Sequence, residues 1–166
     1  MPYGFDFAIP FTLHHEGGYT PGLPDDPGGE TRWGISHRSY PTLDLKTLTR
    51  EAAIAIYRRD FWDALHLDLL PLPLAVALFD GAVNQGPGAA RGFIRDLQGL
   101  LGMAPDGIIG PATAAACEGK DLARLLRRLC VIRAIRYTGA GNFATYDQVW
   151  LDRLLSCFDY CEGIPR

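Results

Sequence analysis

The sequence predicts a mainly α-helical protein that folds as a single compact domain. Apolar residues recur at three- and four-residue spacing along most of the chain, which is the period of an amphipathic helix, and about seven such helices are expected. Strict alternation of apolar and polar residues, the pattern of a half-buried strand, is nowhere long enough to build a sheet. At most a short β-hairpin is expected, in the loop 20–35, where Gly, Pro and Asp are dense.

The first half of the chain begins with a helix that carries one apolar stripe. This helix is expected from Phe5 to His15, with a late start or a kink at Pro10 because proline lacks a backbone donor. The short hairpin is expected around Asp26-Pro27-Gly28-Gly29. Thr49 is the expected N-cap of a second helix, from Arg50 to about Ala64.

The second half of the chain is predicted to form the core and the packing around it. The segment from Leu74 to Val83 is apolar nearly all round, which is typical of a buried central helix. Further helices are expected at about Ala89 to Leu101, from Ala112, at about Asp121 to Tyr137, and from a cap at Asn142. The last of these should bury a stripe made of Phe143, Tyr146, Trp150, Leu154 and Phe158.

Charge and hydropathy exclude several classes of protein. The formal net charge is −3, whereas proteins that bind mainly nucleic acid usually carry a strong positive charge. The first Lys or Arg is Arg32, so the N-terminus is expected to lack the basic region of a secretion signal. The most apolar run, 69–79, contains two prolines and is too short to cross a membrane. We therefore expect synthesis in the cytoplasm without a signal peptide, and no integral membrane segment.

The cysteine and histidine patterns predict no metal site. The four cysteines match no zinc-binding spacing, and we expect free, mostly buried thiols. Cys157 and Cys161 lie four apart on a predicted helix, where Cβ atoms are about 5–6 Å apart. A disulfide needs roughly 3.5–4.5 Å. His14 and His15 are adjacent, point about 100° apart on a helix, and do not easily share one ion.

One predicted helix is basic within this acidic protein. A solvated face is the simpler explanation of such a charge run, and attraction to an anionic cell wall or membrane is the alternative. The basic residues are Lys120, Arg124, Arg127, Arg128, Arg133 and Arg136.

The most distinctive stretch places a carboxylic acid at the end of a helix, facing a polar loop. Glu16 ends the first predicted helix, and Gly17 and Gly18 break that helix. The loop that follows carries aspartates, Thr31 and the large aromatic Trp33. This combination is typical of an acid/base site.

These motifs resemble glycoside hydrolase family 108, the lysozyme-like N-acetylmuramidases of phages and bacteria. The resemblance lies first in Glu16-Gly17-Gly18-Tyr19, Asp26-Pro27-Gly28-Gly29-Glu30-Thr31 and Gly34-Ile35. The second half is similar to the predicted peptidoglycan-binding region that accompanies this family, through Asn84-Gln85-Gly86-Pro87 and the turn at Asp106-Gly107. The resemblance covers about residues 5–160. It implies a lysozyme-like fold, with a muramidase lobe at 1–70 and a helical peptidoglycan-binding lobe at 71–166 packed on it as one domain.

The resemblance implies hydrolysis of the β-1,4 bond between N-acetylmuramic acid and N-acetylglucosamine, with Glu16 as the catalytic acid. The residues support that role independently. A carboxylate at a helix C-terminus meets the negative end of the helix dipole. Partial burial by Tyr19 and apolar neighbours would add a desolvation cost. Both effects favour the protonated acid that a glycosidase needs near neutral pH.

The second carboxylate has two candidates. Asp25, nine residues after Glu16, reproduces with Thr31 the spacing of phage-type lysozymes. The family pattern instead places the aspartate in the Asp-Pro-Gly-Gly turn, which is Asp26, and Asp26 is preferred. Thr31 is expected to hold the attacking water by its hydroxyl group.

Four aromatic residues and one amide are candidate substrate-binding residues: Tyr19, Trp33, Tyr57, Trp62 and Asn84. Tyr19 and Trp33 lie on the loop, where their rings can stack on sugars. Tyr57 and Trp62 lie on a predicted helix, where aromatic rings more often pack in the core. Asp80 and Asn84 are polar residues of the most apolar segment. They either reach the sugar or tie down the loop, because buried polar groups must be paired.

The expected partner is bacterial peptidoglycan. We expect the protein to act on it as a monomer and to need neither a metal nor a cofactor. Without a signal, such an enzyme reaches the periplasm or the cell wall by holin-type release or specialised export. Three other functions stay open. They are a lytic transglycosylase that uses Glu16 alone, a non-catalytic cell-wall-binding protein, and a helical partner-binding protein with no role at the wall.

Overall fold

The computed structural model describes residues 4–22 and 29–164, and in them it confirms the mainly α-helical class. Seven α-helices are present in this part of the chain, together with one small sheet. The helices are α1 (Gly4–Glu16), α2 (Arg50–Tyr57), α3 (Leu72–Gln85), α4 (Pro87–Leu100), α5 (Pro111–Cys117), α6 (Leu122–Thr138) and α7 (Phe143–Glu162). The strands are β1 (Tyr19–Thr20), β2 (Thr31–Arg32) and β3 (Ile35–Ser36).

Helix α1 starts earlier than its proline suggests. It begins at Gly4, so the predicted late start is wrong, and Pro10 lies on its exposed side. The buried side carries Phe5, Ile9 and Leu13, as the apolar spacing predicts. Burial of this face stabilises the first turns enough to offset the backbone hydrogen bond that proline removes.

The three strands form an antiparallel sheet in the order β1-β2-β3. Strands β1 and β2 pair across the segment 21–30, so the predicted hairpin is present, although most of its turn lies outside the described residues. A second, tight hairpin joins β2 to β3 through Trp33 and Gly34 and was not predicted. Each strand has only two residues, which is too short for an alternating pattern to show in the sequence.

Helix α2 is capped as predicted, and after its last residue the chain continues as a helix of a different type. The Thr49 side chain accepts a hydrogen bond of 3.2 Å from the Ala52 amide, which confirms the N-cap. The α-helix ends at Tyr57, and a π-helix continues it from Arg58 to Asp63. A 3₁₀ turn at Leu67–Leu69 then leads to α3.

Helix α3 is the buried central helix that its composition predicts, and it is longer at both ends than the predicted Leu74–Val83. It packs against α1, α4, α6 and α7. The charged side chain of Asp80, in the middle of this helix, is completely buried. The helix therefore brings a carboxylate into the core.

The turn at Asp106 and Gly107 is held from inside the protein. The buried side chain of Gln98 donates to Asp106 Oδ1 at 2.6 Å and accepts from the Gly107 amide at 2.8 Å. Gly107 has a φ of 79°, a backbone conformation that favours glycine. Part of the motif that resembles a peptidoglycan-binding region thus holds the fold together.

Helices α6 and α7 pack together, and three predictions about them differ from the structure. Arg133, counted as part of a basic surface, is buried. Tyr146, expected inside α7, is 47% exposed, because the buried face of α7 is formed by Arg153, Leu154, Cys157 and Cys161. Asn142 occupies the N-cap position of α7 as predicted, but its side chain makes no capping hydrogen bond.

The cysteines are free, as expected, and three of the four are buried. Across the described part of the chain, every helix is too short or too polar to cross a membrane.

Candidate active site

Glu16 is the last residue of α1, and its side chain is only 17% exposed. Gly17 follows with a φ of 71°, so the chain leaves the helix in the left-handed conformation that glycine adopts easily. The sharp exit leads directly into β1 at Tyr19. Glu16 is thereby held where the helix meets the sheet.

The turn of the β2–β3 hairpin packs against Glu16. Trp33 and Gly34 have φ values of 53° and 76°, as a two-residue type I′ turn requires. A methyl group on Gly34 would lie 2.6 Å from Glu16 Oε2, and closer still to the Tyr57 hydroxyl oxygen. The Tyr57 hydroxyl donates a hydrogen bond of 2.9 Å to the Trp33 carbonyl. The absence of a side chain at Gly34 therefore makes room for the Glu16 carboxylate.

On its other side Glu16 meets a guanidinium from the last helix. Arg153 Nη2 lies 2.8 Å from Glu16 Oε1. At this distance the contact is an ion pair. The hydrogen bonds of Arg153 go to Asp80, from Nε at 3.0 Å and from Nη2 at 2.7 Å. The sequence predicted surroundings that oppose charge on Glu16, whereas the structure adds a cation beside it.

The network continues inward from Asp80. Arg133 Nη2 lies 2.7 Å from Asp80 Oδ2, and Arg133 Nε donates to the Tyr137 hydroxyl at 2.8 Å. That hydroxyl donates in turn to Asn84 Oδ1 at 2.7 Å. Glu16 is therefore joined to α3, α6 and α7 by an unbroken chain of charged and polar contacts.

Asp80, Arg133 and Arg153 keep one another ionised. Burial alone would raise the pKa of Asp80, but Arg133 and Arg153 outweigh burial and hold it below its ordinary value. Burial would lower the pKa of Arg153, but Asp80 and Glu16 outweigh burial and raise it. Burial acts in the same direction on Arg133, and Asp80 again leaves its pKa raised. A buried charge is stable only when paired in this way.

The loop residues of the predicted site lie on the sheet. Thr31 is half-buried on β2, opposite Thr20 on β1 and Ser36 on β3. Trp33 is half-buried in the tight turn. Tyr19 is 43% exposed, so part of its ring is open to a ligand. Its hydroxyl is hydrogen-bonded to the Glu30 side chain. Asp25 and Asp26 lie outside the described residues.

The helical aromatics of the predicted site are core residues. Trp62 is completely buried and packs edge-on against Phe5 and Phe79, which corrects its assignment to substrate binding. Tyr57 is 1% exposed, and its contact with Trp33 makes it a support for the hairpin. Asn84 is half-buried, and its side-chain oxygen is used by Tyr137 and, at 3.4 Å, by Arg133.

Sequence reasoning missed Arg153 as part of the site, and it placed Gly34 in the family motif without giving it a role. The signal for Arg153 is its place on the apolar stripe of α7, beside Leu154 and one turn before Cys157. Arg133 interrupts the leucine stripe of α6 in the same manner. A single arginine on an otherwise apolar helix face predicts a buried carboxylate partner.

The chain is similar to known proteins in sequence and in fold. Residues 9–86 match the family model described as Glycosyl hydrolase 108. The solved structure of Brucella abortus SagA is similar over 98% of this chain and 95% of that chain, with 31% sequence identity and a TM-score of 0.84. No curated protein sequence matches the chain. Since the matched segment contains the end of α1 and both hairpins, and the likeness to SagA extends over nearly the whole fold, the chain belongs to glycosyl hydrolase family 108.

Proposed function

We propose that this glycosidase is an N-acetylmuramidase, which hydrolyses the β-1,4 bond between N-acetylmuramic acid and N-acetylglucosamine in peptidoglycan. Membership of family 108 suggests a peptidoglycan hydrolase and supports the choice of polymer. The observation that carries the proposal is the placement of Glu16. Its carboxylate is mostly enclosed, lies against the Gly34 backbone and is contacted by Arg153. A carboxyl group that the fold holds in one place, mostly enclosed by the protein, is suited to the role of a general acid.

In the proposed mechanism Glu16 gives its proton to the glycosidic oxygen. The bond between that oxygen and the anomeric carbon breaks, and water adds to the anomeric carbon. Arg153, 2.8 Å away, stabilises the carboxylate that the departing proton leaves on Glu16. Because Asp80 fixes Arg153 through two hydrogen bonds, this charge does not have to move during the reaction.

The second half of the mechanism belongs to the loop between β1 and β2. We assign to a loop aspartate, Asp26 by preference and Asp25 as the alternative, either the activation of the attacking water or the stabilisation of the oxocarbenium-like transition state. Thr31 begins β2, directly after this loop, and its hydroxyl group is proposed to hold the water. Tyr19 and Trp33, on the same sheet, are proposed to contact the sugar rings.

The remaining sequence predictions form part of the same proposal. The protein would act on peptidoglycan as a monomer. Residues 1–70 would form the muramidase lobe, residues 71–166 would form a wall-binding lobe packed on it, and both lobes would contact the glycan. A protein made in the cytoplasm would reach peptidoglycan by holin-type release or by specialised export.

Product mass tests the reaction class. Purified peptidoglycan digested with the protein should release muropeptides with an intact reducing end, because hydrolysis adds one water for each bond broken. The measurement is mass spectrometry of the soluble products before and after chemical reduction. Anhydro-muropeptides, which lack that water and resist reduction, would instead establish a lytic transglycosylase. Release of no fragments, with binding to the wall retained, would leave a non-catalytic wall-binding protein.

Gly34→Ala should impair catalysis more than it impairs folding. Its methyl group would collide with Glu16 Oε2 and the Tyr57 hydroxyl, so the carboxyl group must shift. A displacement of about 1 Å at a reacting group can cost about 10²-fold in rate. The measurement is the rate of turbidity loss of peptidoglycan, beside the thermal midpoint of unfolding.

Gly119→Ala is the matched control for Gly34→Ala. Gly119 has a φ of 68°, and a methyl group there would meet nothing within 4 Å. Both variants therefore carry the same left-handed strain, about 1–2 kcal/mol, but only one disturbs Glu16. Equal activities of the two variants, at equal stability, would show that the contact with Gly34 has no catalytic role.

A further inference from the structure

Helices α6 and α7 present large aliphatic side chains to solvent. Four of them form a set that we call the aliphatic patch, and each is more than a third exposed: Val131 (46%), Ile135 (64%), Leu151 (36%) and Leu155 (63%). The two on each helix are four positions apart, so they are neighbours on its surface. Single exposed apolar residues are ordinary, whereas a continuous group of them marks a surface that contacts another molecule.

The packing of the two helices brings both halves of the aliphatic patch together. The Tyr137 ring stacks on the Trp150 ring, with centroids 5.2 Å apart. The Arg127 guanidinium lies over the Phe158 ring, 6.0 Å from its centroid. These two contacts set the helices antiparallel, and the patch residues of each helix fall between them in sequence. The patch residues nearest the second contact lie about one helical turn from it, on the same faces, so the patch is continuous across the two helices.

The same side of α6 is strongly basic. Arg124, Arg127 and Arg128 are exposed in its first two turns, and α6 contains neither Asp nor Glu. Within the described residues none of these three arginines forms an ion pair, whereas the two later arginines of α6 each pair with a carboxylate. Lys120 joins Arg124 and Arg128 in lining an open groove of about 600 Å³ at this end of the helix. Unpaired cations therefore lie directly beside the aliphatic patch.

Acidic residues border this surface rather than lie within it. Asp121 caps α6, where it accepts a hydrogen bond of 3.0 Å from a backbone amide of the first turn. Asp152 directly follows Leu151 on α7, and successive residues of a helix point about 100° apart. Asp159 follows Phe158 in the same way. Both acids are exposed at the edge formed by α7, so the part of the surface formed by α6 stays cationic.

We propose that this surface of α6 and α7 docks the protein on a lipid bilayer that contains anionic phospholipids. The arginines would contact the lipid phosphates, and the aliphatic patch would enter the boundary between headgroups and acyl chains. An anionic polymer would satisfy the arginines but leave the aliphatic side chains in water. An apolar protein surface would cover those side chains but leave the arginines unpaired. A bilayer with anionic headgroups satisfies both halves of the surface.

Sedimentation with vesicles tests the basic half of the surface. The protein is mixed with vesicles of phosphatidylglycerol and phosphatidylcholine, and with vesicles of phosphatidylcholine alone, which it should bind far more weakly. Each arginine near an anionic bilayer contributes about fivefold in affinity. Binding to the anionic vesicles should therefore fall about 100-fold in the triple variant Arg124→Gln, Arg127→Gln and Arg128→Gln.

Three exposed arginines of α2 and α4 supply the matched control for the triple variant. The same change of net charge is made there by Arg50→Gln, Arg91→Gln and Arg95→Gln. This control should bind the anionic vesicles within a few-fold of the wild type, because screening by salt limits charge effects to about 10 Å. Equal losses in the two triple variants, or equal binding to neutral and anionic vesicles, would overturn the proposal.

The aliphatic patch is tested separately from the arginines. Ile135→Ser combined with Leu155→Ser should weaken binding to the anionic vesicles by about tenfold or more, because both side chains would leave the bilayer. Ile108→Ser combined with Val149→Ser is the matched control, since these side chains are 61% and 65% exposed and lie outside the patch. If both double variants bind as tightly as the wild type, the arginines act alone and the lipid assignment is wrong.

Two further measurements separate lipid from cell wall, and docking from catalysis. The two triple variants should sediment equally with lipid-free peptidoglycan, and a loss confined to the α6 variant would assign the surface to the wall instead. Glu16→Gln should bind vesicles like the wild type, because Glu16 is not part of this surface. Lysis that depends on Glu16 without any vesicle binding would refute only the docking surface. Vesicle binding with lysis that does not need Glu16 would refute only the proposed catalytic role.

Discussion

Glu16→Gln should reduce the rate of peptidoglycan lysis by about 10²–10⁴-fold, the usual contribution of a general acid. The amide has nearly the same shape as the carboxyl group, so it can keep its place between Gly34 and Arg153. It cannot give a proton to the glycosidic oxygen. The measurement is turbidity loss of purified peptidoglycan, with the products quantified by mass spectrometry.

Glu51→Gln is the control for this substitution. Glu51 is exposed in the first turn of α2, and the same change of charge there should leave lysis within twofold of the wild type, roughly the scatter of surface substitutions. Far-ultraviolet circular dichroism of both variants shows whether the fold is kept. A Glu16→Gln protein that is folded and lyses at the rate of the Glu51→Gln protein would disprove the catalytic role of Glu16.

Asp80→Asn should be the most destabilising polar substitution in the protein. Asp80 is completely buried and pairs with Arg133 and Arg153, both also buried. Removing its charge leaves two guanidinium groups in the core, and among the described residues Glu16 is the remaining carboxylate paired with either of them. Breaking a buried ion pair in this way costs about 3–5 kcal/mol. Urea denaturation gives the difference in the free energy of unfolding.

Asp96→Asn is the matched control for Asp80→Asn. Asp96 also pairs with an arginine, Arg136, but the two side chains are 26% and 38% exposed. Partly exposed pairs contribute about 0–1 kcal/mol. Similar losses of stability in the two variants would contradict the special weight given to the buried network.

The same network predicts how stability depends on pH. The pKa of Asp80 is lowered in the folded protein, so its ionisation stabilises the fold at every pH above the ordinary pKa of an aspartate. This stabilisation is lost as the pH falls towards the lower folded value. The arginines do not titrate in this range. Asp80→Asn should therefore remove part of the loss of stability seen on acidification, and an unchanged slope would count against the assignment.

The helices were predictable because each carries its own pattern. The spacing of Phe5, Ile9 and Leu13 shows the buried side of α1, and Thr49 marks the start of α2 before any contact is known. Pro10 predicts a late start or a kink in α1, and the late start does not occur, since a local rule for proline does not include the burial of the preceding turn. Tyr146 is predicted to lie in the core because its position continues the apolar stripe of α7. In the folded protein Tyr146 is exposed, and Arg153 lies on the buried face of the helix instead.

The acid of the candidate site was also within reach of the sequence. Glu16 ends a helix immediately before two glycines, and this arrangement is local in the chain. Its charged partner was not within reach, because Arg153 lies more than a hundred positions further along the chain. Arg153 could be recognised only as a charged residue on an apolar stripe, with no sign of which carboxylate it would meet.

The sequence by itself determined the mainly helical class, the central helix α3 and the position of the candidate acid. These follow from periodicity, capping and glycine conformation, which act between near neighbours in the chain. Only the tertiary structure decided that Glu16 lies between the Gly34 backbone and Arg153, and that Asp80 joins α3 to α6 and α7. The physical reason is that a buried charge is satisfied by whichever opposite charge the packing brings within about 3 Å, and sequence spacing carries no record of that distance.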